Sequence, residues 1–306
     1  MPEYPDITIY IERLEALVNG QPLEQIRFAG PFFLRTAQPP IKTINGATIR
    51  AIERMGKRIV FVFDGERFLV IHLMIAGRLH WRKKACKLPG KVGLAVFDFP
   101  NGCLLITEAG TKKRASLHFI SGRAELAGLD PGGLEVFEAS LEAFRSALRA
   151  ENHTLKRSLT DPHIFSGIGN TYSDEILHRA RLSPLQLTEK LAEDQIKRLY
   201  HATQDTLEEW TQRLRDEVGN GFPDQVTAFR ERMAVHGRFK KPCPDCGTPV
   251  QRIRYAANET NYCPLCQTGG KLLADRAMSR LLKKDWPRNL EELEVRKQKL
   301  FRNLAD

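Results

Sequence analysis

Arg58-Ile59-Val60-Phe61-Val62-Phe63, Asp64-Gly65-Glu66 and Arg67-Phe68-Leu69-Val70-Ile71 follow one another without a break. Two runs rich in β-branched and aromatic residues meet across a short turn containing Asp-Gly, the signature of a β-hairpin. The pattern recurs downstream, where Val92 to Phe99 and Cys103 to Thr107 flank Pro100-Asn101-Gly102. Many short strands joined by tight turns over residues 22–120 imply an antiparallel sandwich or barrel. Pro131-Gly132-Gly133 marks the exit from it.

Ahead of the strands, Ile7, Ile11, Leu14 and Leu17-Val18 repeat at helical spacing, and Gly20 is a natural stop. A helix over 7–18 would anchor the first six residues, Met1-Pro2-Glu3-Tyr4-Pro5-Asp6, on a packed body. If Met1 is removed, the Pro2 nitrogen becomes a free secondary amine. Such an amine can attack a sugar aldehyde carbon and form an iminium ion, an electron sink that is charged without a further proton. Glu3 beside it can supply or take a proton. The plainer alternative is a Met-Pro start in which Pro5 and Asp6 only open the helix.

After the strands the period changes. Leu141, Phe144 and Leu148 fit one helix, and Leu155, Leu159 and Ile164 a second. Gly167-Ile168-Gly169-Asn170 then breaks the pattern, a third helix starts at Thr171, and a long fourth carries Ile196, Leu199, Thr203, Leu207, Trp210 and Leu214 on one face. Two helices joined by a glycine-containing turn are a frequent DNA-docking device, and equally an ordinary bundle.

Cys243-Pro-Asp-Cys246 and Cys263-Pro-Leu-Cys266 follow a basic connector. Four thiolates on two such knuckles suit one tetrahedral zinc, closed and structural, with no other type of ligand nearby in the sequence. So small a unit has almost no core, and metal binding should supply its folding energy, about 10–16 kcal/mol. Between the knuckles a hairpin over Val250–Tyr255 and Thr260–Tyr262 carries Arg252 and Arg254. The remaining segment reads as a basic helical extension, with Leu272, Leu273, Leu281 and Leu282 as one apolar set, Leu293, Leu300 and Leu304 as another, and Trp286-Pro287 between them.

The totals agree with this organisation. A length of 306 residues suits two or three domains, and 42% hydrophobic residues suffice for a real core. A net charge of +10 points to a polyanionic partner. No apolar run is long enough to span a membrane, and Asp6, Glu12, Arg13 and Glu15 interrupt any signal-peptide pattern. Four of the six cysteines form the two pairs, which points to a metal and a reducing compartment; Cys86 and Cys103 are left over as inert residues.

Together these motifs resemble the formamidopyrimidine-DNA glycosylase / endonuclease VIII family. The resemblance rests on Pro2-Glu3, on Met55-Gly56-Lys57 and on His72-Leu73-Met74-Ile75-Ala76-Gly77. It continues through Lys156 with Gly167-Ile168-Gly169-Asn170-Thr171-Tyr172-Ser173-Asp174-Glu175-Ile176, and ends with the four cysteines and Gln267. It implies a multi-domain α+β fold: an N-terminal antiparallel β-sandwich with a leading helix over 1–131, a helix–two-turn–helix domain over 132–237, a zinc-finger hairpin over 238–268 and the extension over 269–306. It also implies a bifunctional DNA glycosylase/AP lyase of base excision repair. Pro2 would be the nucleophile, Glu3 the proton donor to the sugar ring oxygen and Lys57 part of the catalytic set, with β/δ-elimination cutting the strand. His72, Met74, Ile75, Lys112, Lys113, Arg114, Lys156, Asn170, Arg252 and Arg254 would meet damaged double-stranded DNA. The protein is expected to be a bacterial, cytoplasmic, nucleoid-associated monomer.

The chain departs from the family pattern in places. Asp6 stands where the family often has Glu. Either Met74 or Ile75 could fill the space left by a flipped base. The family's Asp-Pro-Arg-Arg-Phe loop is replaced by Glu108–Arg114, and its finger arginine aligns near Asn258. The connector Gly219–Pro242 is short beside that of the purine-specific branch, which favours oxidised pyrimidines and ring-opened or hydantoin lesions over 8-oxoguanine. The competing readings are an 8-oxoguanine/formamidopyrimidine-specific enzyme, a catalytically silent DNA-binding relative and an unrelated zinc-ribbon adaptor.

Overall fold

The computed structural model describes residues 1–255, 258–274 and 285–302. Leu281, Leu282 and Leu304 of the expected apolar sets lie outside the described residues, as does the side chain of Leu300. The chain divides into two compact units. One comprises Met1–Glu135, Ser166–Ile168 and Leu207–Ala228, and the other Val136–Phe165, Gly169–Thr206 and Phe229–Asp306.

In the first unit, helix α1 (Tyr4–Val18) starts three residues earlier than its apolar period suggests. Glu3 is its N-cap, the Glu3 N–H donates to Asp6 Oδ2 at 3.0 Å, and Pro5 fits the first turn. The carboxylate of Asp6 therefore serves as a cap. Eight strands follow: β1 (Gln25–Phe28), β2 (Ile49–Met55), β3 (Arg58–Phe63), β4 (Arg67–His72), β5 (Gly77–Arg82), β6 (Gly93–Phe99), β7 (Gly102–Glu108) and β8 (Ser116–Ser121). They form two antiparallel four-stranded sheets, ordered β1-β6-β7-β5 and β2-β3-β4-β8, as the hairpin turns require. Residues from both sheets and from α1 share one core, in which the Phe61 and Phe97 rings meet edge-on at 6.0 Å. A short helix, α2 (Arg123–Gly128), follows β8 and was not evident from the sequence.

Strand β6 is buried along its whole length, although only alternate residues can face the core. Its other side, Val96 with Cys103 and Leu105 of β7, is covered by Cys86 and Leu88 of the preceding loop. Cys86 and Cys103 are joined there by a disulfide, which corrects the expectation of two unrelated thiols. The two are far apart in sequence, and only the return of the loop across the sheet brings them together.

Two tight turns of this unit shape the site described below. Met55 pairs with Arg58, so Gly56-Lys57 is a two-residue hairpin connection with φ +60° at its glycine, and Lys57 stands at its tip. Between β4 and β5 the chain reverses over Leu73–Gly77, closed by Gly77 N–H to the Leu73 carbonyl at 2.9 Å. A Cβ on Gly77 would lie 2.3 Å from that same oxygen, so any other residue forces the backbone of the turn to shift.

In the second unit, Ser140 Oγ caps α3 (Leu141–Arg149) by accepting from Ala143 N–H at 3.2 Å. Helix α4 (Leu155–Thr160) ends before Ile164, which is buried in the following turn. Helix α5 (Asn170–Arg179) buries Tyr172, Ile176 and Leu177. The long α6 (Glu193–Val218) gives its residues up to Thr206 to this unit and those from Leu207 to the other. The finger consists of β9 (Gln251–Tyr255), β10 (Asn258–Tyr262) and α7 (Pro264–Thr268). Beyond it, Leu272 N–H donates to the Arg288 carbonyl and Leu273 N–H to the Tyr262 hydroxyl, and a last helix spans Leu290–Arg302.

Gly77→Ala is expected to cost about 1–3 kcal/mol, the usual range for forced overpacking, in urea denaturation. Gly128→Ala, at the end of α2 with nothing near its Cβ, should change stability by less than about 1 kcal/mol.

Candidate active site and metal centre

The chain terminus is held by a stretch distant in sequence. Tyr4 N–H donates to the Gly167 carbonyl at 2.9 Å, and the next carbonyl, Ile168, accepts from Lys57 Nζ at 2.9 Å. Gly167 has φ +78°, and a Cβ there would press on Tyr4 Cβ at 3.0 Å and on its ring at 3.1 Å. Arg54 stacks on the other part of this anchor, 4.5 Å from the Tyr4 ring centroid, and pairs with Glu135. Pro2 and Glu3 are buried beside it.

Electrostatics follow from this burial. The amine that opens the chain is lowered from its ordinary 8.0, first by desolvation, with Arg78 and Lys57 adding to the effect and Glu3 opposing it. Lys57 is lowered from 10.5 by burial, and the Glu3 carboxylate draws it partly back. His72, at the end of β4, is pushed down to about 4 by burial and by Arg58 and Lys57, so it is neutral at pH 7. Its Nε2 is buried and has no hydrogen-bond partner among the described residues.

The turn after His72 separates Met74 from Ile75. Met74 sits at φ +52° and is half-buried, whereas Ile75 is 57% exposed at the apex. On the neighbouring loop, the buried Glu108 carboxylate accepts from the Arg114 N–H at 2.9 Å and from Ala115 N–H at 3.2 Å. Lys113 Nζ bonds the Glu108 carbonyl. Lys112, Lys113 and Arg114 are thereby presented to solvent on a loop folded around one acid.

In the second unit Lys156 is engaged internally. Its Nζ donates to the Asn170 carbonyl at 2.7 Å, Ser173 Oγ at 2.8 Å and Asp174 Oδ1 at 2.5 Å. An ammonium has three donors, and in this structure all three are spent on ties within the helix–turn–helix. Asp174, fully buried, also accepts from Asn261 N–H at 3.1 Å and lies 2.8 Å from His236 Nδ1. Asn170 Nδ2 donates to the Glu259 carbonyl at 2.9 Å. Arg252 and Arg254 both face the Glu259 carboxylate, at 3.0 and 3.4 Å, so the hairpin is less cationic than its sequence implies. The side chain of Asn258 lies outside the described residues.

Sequence reasoning missed Glu175. Its buried carboxylate accepts from the N–H groups of Ala234, Val235 and His236 at 2.7–2.9 Å. The adjoining carboxylates in Asp174-Glu175, between Tyr172 and Ile176-Leu177, were the only signal of it.

The sulfurs of Cys243, Cys246, Cys263 and Cys266 all lie within 4.8 Å of one another. Tetrahedral zinc with bonds of about 2.3 Å needs sulfurs roughly 3.8 Å apart. Cys243 and Cys266 are at 3.9 Å and Cys246 and Cys263 at 3.4 Å, so the set fits with small adjustments. The expectation that no other type of ligand is nearby needs correction: His178 Nε2 lies 3.3 Å from Cys243 Sγ, brought there by α5. With four sulfurs already grouped, the histidine is placed to hydrogen-bond a thiolate.

Comparison with known proteins covers most of the chain. Residues 1–116 match the N-terminal domain of formamidopyrimidine-DNA glycosylase, 128–217 its H2TH domain, and 240–269 the zinc finger found in FPG and IleRS. The formamidopyrimidine-DNA glycosylase of Heliobacterium modesticaldum is 32% identical over 285 residues, covering 87% of this chain and all of that one. The chain belongs to the formamidopyrimidine-DNA glycosylase family. The Thermus thermophilus enzyme is likewise 32% identical, over 88% of this chain and all of its own. Among solved structures, a Lactococcus lactis Fpg variant with Fapy-dG-containing DNA superposes with TM-score 0.77 at 25% identity, covering 87% of this chain and all of that one. Lactococcus lactis Fpg with oxidised-pyrimidine DNA gives 0.75 at 26% identity, with the same coverage. This chain is thus an Fpg-type DNA glycosylase of base excision repair, DNA-binding, with one structural zinc on Cys243, Cys246, Cys263 and Cys266. Among the described residues no helix is long and apolar enough to cross a membrane.

Two measurements check the electrostatics. His72 is depressed from 6.5 to about 4, so between those values the unfolded chain binds the proton first and stability rises with pH. Between pH 7 and 4.5, His72→Gln should therefore lose about 1–2 kcal/mol less stability than wild type, in urea midpoints at each pH. Lys156→Met leaves Asp174 buried without its ion-pair partner and should cost about 3–5 kcal/mol. The salt dependence of DNA binding should be unchanged if that variant is assayed at a temperature where it stays folded.

Proposed function

We propose that removal of Met1 exposes the Pro2 amine, which attacks C1′ of the damaged nucleoside as the bond from C1′ to the base breaks. Glu3 delivers a proton to the ring oxygen, the sugar opens, and the nitrogen–carbon bond becomes an iminium. The iminium acidifies the C2′ hydrogen. Loss of that proton expels the 3′ phosphate, and a second elimination releases the 5′ phosphate. The observation that carries this reading is that Pro2 and Glu3 are buried side by side on a terminus tied through Tyr4 to the Gly167 carbonyl. A neutral amine keeps the lone pair that attack requires.

The other residues support the geometry of this step. Lys57 spends one of its three donors on Ile168, which leaves the others for a phosphate oxygen near Pro2. The unpartnered Nε2 of neutral His72 can donate to another. Ile75, not Met74, is the apolar side chain available to fill the space left by a flipped base. Lys112, Lys113, Arg114, Asn170 and the hairpin arginines would fix register on the backbone without reading sequence.

We also infer a preference for oxidised pyrimidines and ring-opened or hydantoin bases over 8-oxoguanine. The connector after α6 is pinned in both of its halves. Val226 is buried and its carbonyl accepts from Arg78 Nε at 2.6 Å, while Asp224 pairs with Arg82. Further on, Glu175 holds Ala234–His236, and the Phe229 ring stacks on His236 at 5.9 Å. Little free chain remains to cover a large oxidised purine. Relatives have been seen with both Fapy-dG and oxidised pyrimidines, so the family chemistry accommodates either class.

Protein that retains Met1 should bind abasic DNA normally yet lose strand cleavage by at least about 100-fold, the usual scale for removing an essential catalytic group. Single-turnover rates on duplexes carrying thymine glycol, dihydrouracil, a hydantoin or 8-oxoguanine decide the lesion. Fastest turnover of 8-oxoguanine opposite cytosine would overturn the preference, and absence of cleavage on every duplex would favour the silent relative.

A further inference from the structure

The first unit has a concave feature of which only Lys113 enters the reading above. Phe33, Leu94 and Ala115 form a buried floor, and Phe32, Arg35 and Lys113 line the pocket above it, which holds about 450 Å³. That volume is within the range of sites that take a small planar ligand, roughly 300–1,000 Å³. Phe32 is 80% exposed, the most exposed large apolar side chain among the described residues. It is not on a loose loop: the 3-10 turn Pro31–Phe33 leads into Arg35, whose N–H donates to the Leu117 carbonyl of β8 at 2.8 Å. Thr36 Oγ1 accepts from Phe119 N–H one pair further on, at 2.9 Å.

The lining has a definite chemistry. It combines an aromatic face, an apolar floor and two cations, and it includes no carboxylate. A planar, weakly polar ring attached to an anion matches all three features, and a nucleotide is such a ligand. Lys113 belongs to the basic loop that also exposes Lys112 and Arg114, and residues 108–115 have no aromatic of their own. Phe32 is therefore the stacking surface beside that loop. Bases stack on such surfaces without regard to sequence, because each has a π-face.

We propose that this pocket receives an unpaired base of the DNA, stacked on Phe32 with its phosphate between Arg35 and Lys113. It would be a binding site separate from the Pro2 chemistry. The proposal rests on the DNA-repair reading, since it requires that the protein hold DNA.

The test uses the full-length zinc-containing protein and two duplexes of equal length, one fully paired and one with a single bulged 2-aminopurine. Wild type should bind the bulged duplex more tightly and quench its 2-aminopurine. Phe32→Ala should weaken binding to the bulged duplex about ten-fold and restore its emission, with paired-duplex affinity unchanged. Phe32→Tyr should behave as wild type, and Arg35→Ala should lower the salt dependence on the bulged duplex. Equal affinity of wild type and Phe32→Ala for the bulged duplex, with unchanged emission, would overturn the pocket and leave the repair function standing. Failure of wild type to bind either duplex would overturn both.

Discussion

Two consecutive carbonyls carry the catalytic argument. Gly167 and Ile168 accept from Tyr4 N–H and Lys57 Nζ, which ties the first turn of α1 and the tip of the β2–β3 hairpin to one short segment. A terminal amine is ordinarily a mobile, fully solvated cation. Here it precedes helix α1, whose N-cap N–H is bonded to Asp6, and burial lowers the amine of Met1 from its ordinary value. Gly167 holds a positive φ and lies so close to Tyr4 that a Cβ would crowd it, so this glycine of the Gly-Ile-Gly-Asn motif serves the terminus.

A second constraint is the internal use of charge. The chain has 47 lysines and arginines against 37 acids, yet several of the cations a sequence would assign to DNA are held by carboxylates. Asp174 takes Lys156, and Glu259 takes Arg252 and Arg254. Net charge therefore overstates the number of free phosphate contacts. The cations of residues 112–114 are exposed, and Lys57 keeps donors beyond the one given to Ile168. Asp174 also bonds Asn261 of the finger hairpin, so the helix–turn–helix and the finger share one buried acid.

Local signals made much of the fold legible. The Asp64-Gly65-Glu66 and Pro100-Asn101 turns, the helical periods and the cysteine pairs each act over a few residues, and the structure follows them. The start of α1 was misplaced because its cap lies before the first apolar residue. The partners of side chains were not legible. Cys86 meets Cys103, His178 meets Cys243, and Glu175 meets the backbone of Ala234–His236 only after the chain has folded back. The pocket beneath Phe32 is of the same kind, assembled from three separate segments. Motif resemblance pointed to Lys156 as a DNA contact but could not reveal that its three donors are satisfied within the fold.

The central claim is that the secondary amine of Pro2 is the nucleophile. Borohydride reduction during turnover of abasic-site DNA tests it most directly, because the reagent converts the iminium into a permanent bond. Mass spectrometry of the digested adduct should place the sugar on the N-terminal peptide, at the nitrogen of Pro2. An adduct on Lys57 or any other lysine would contradict the account.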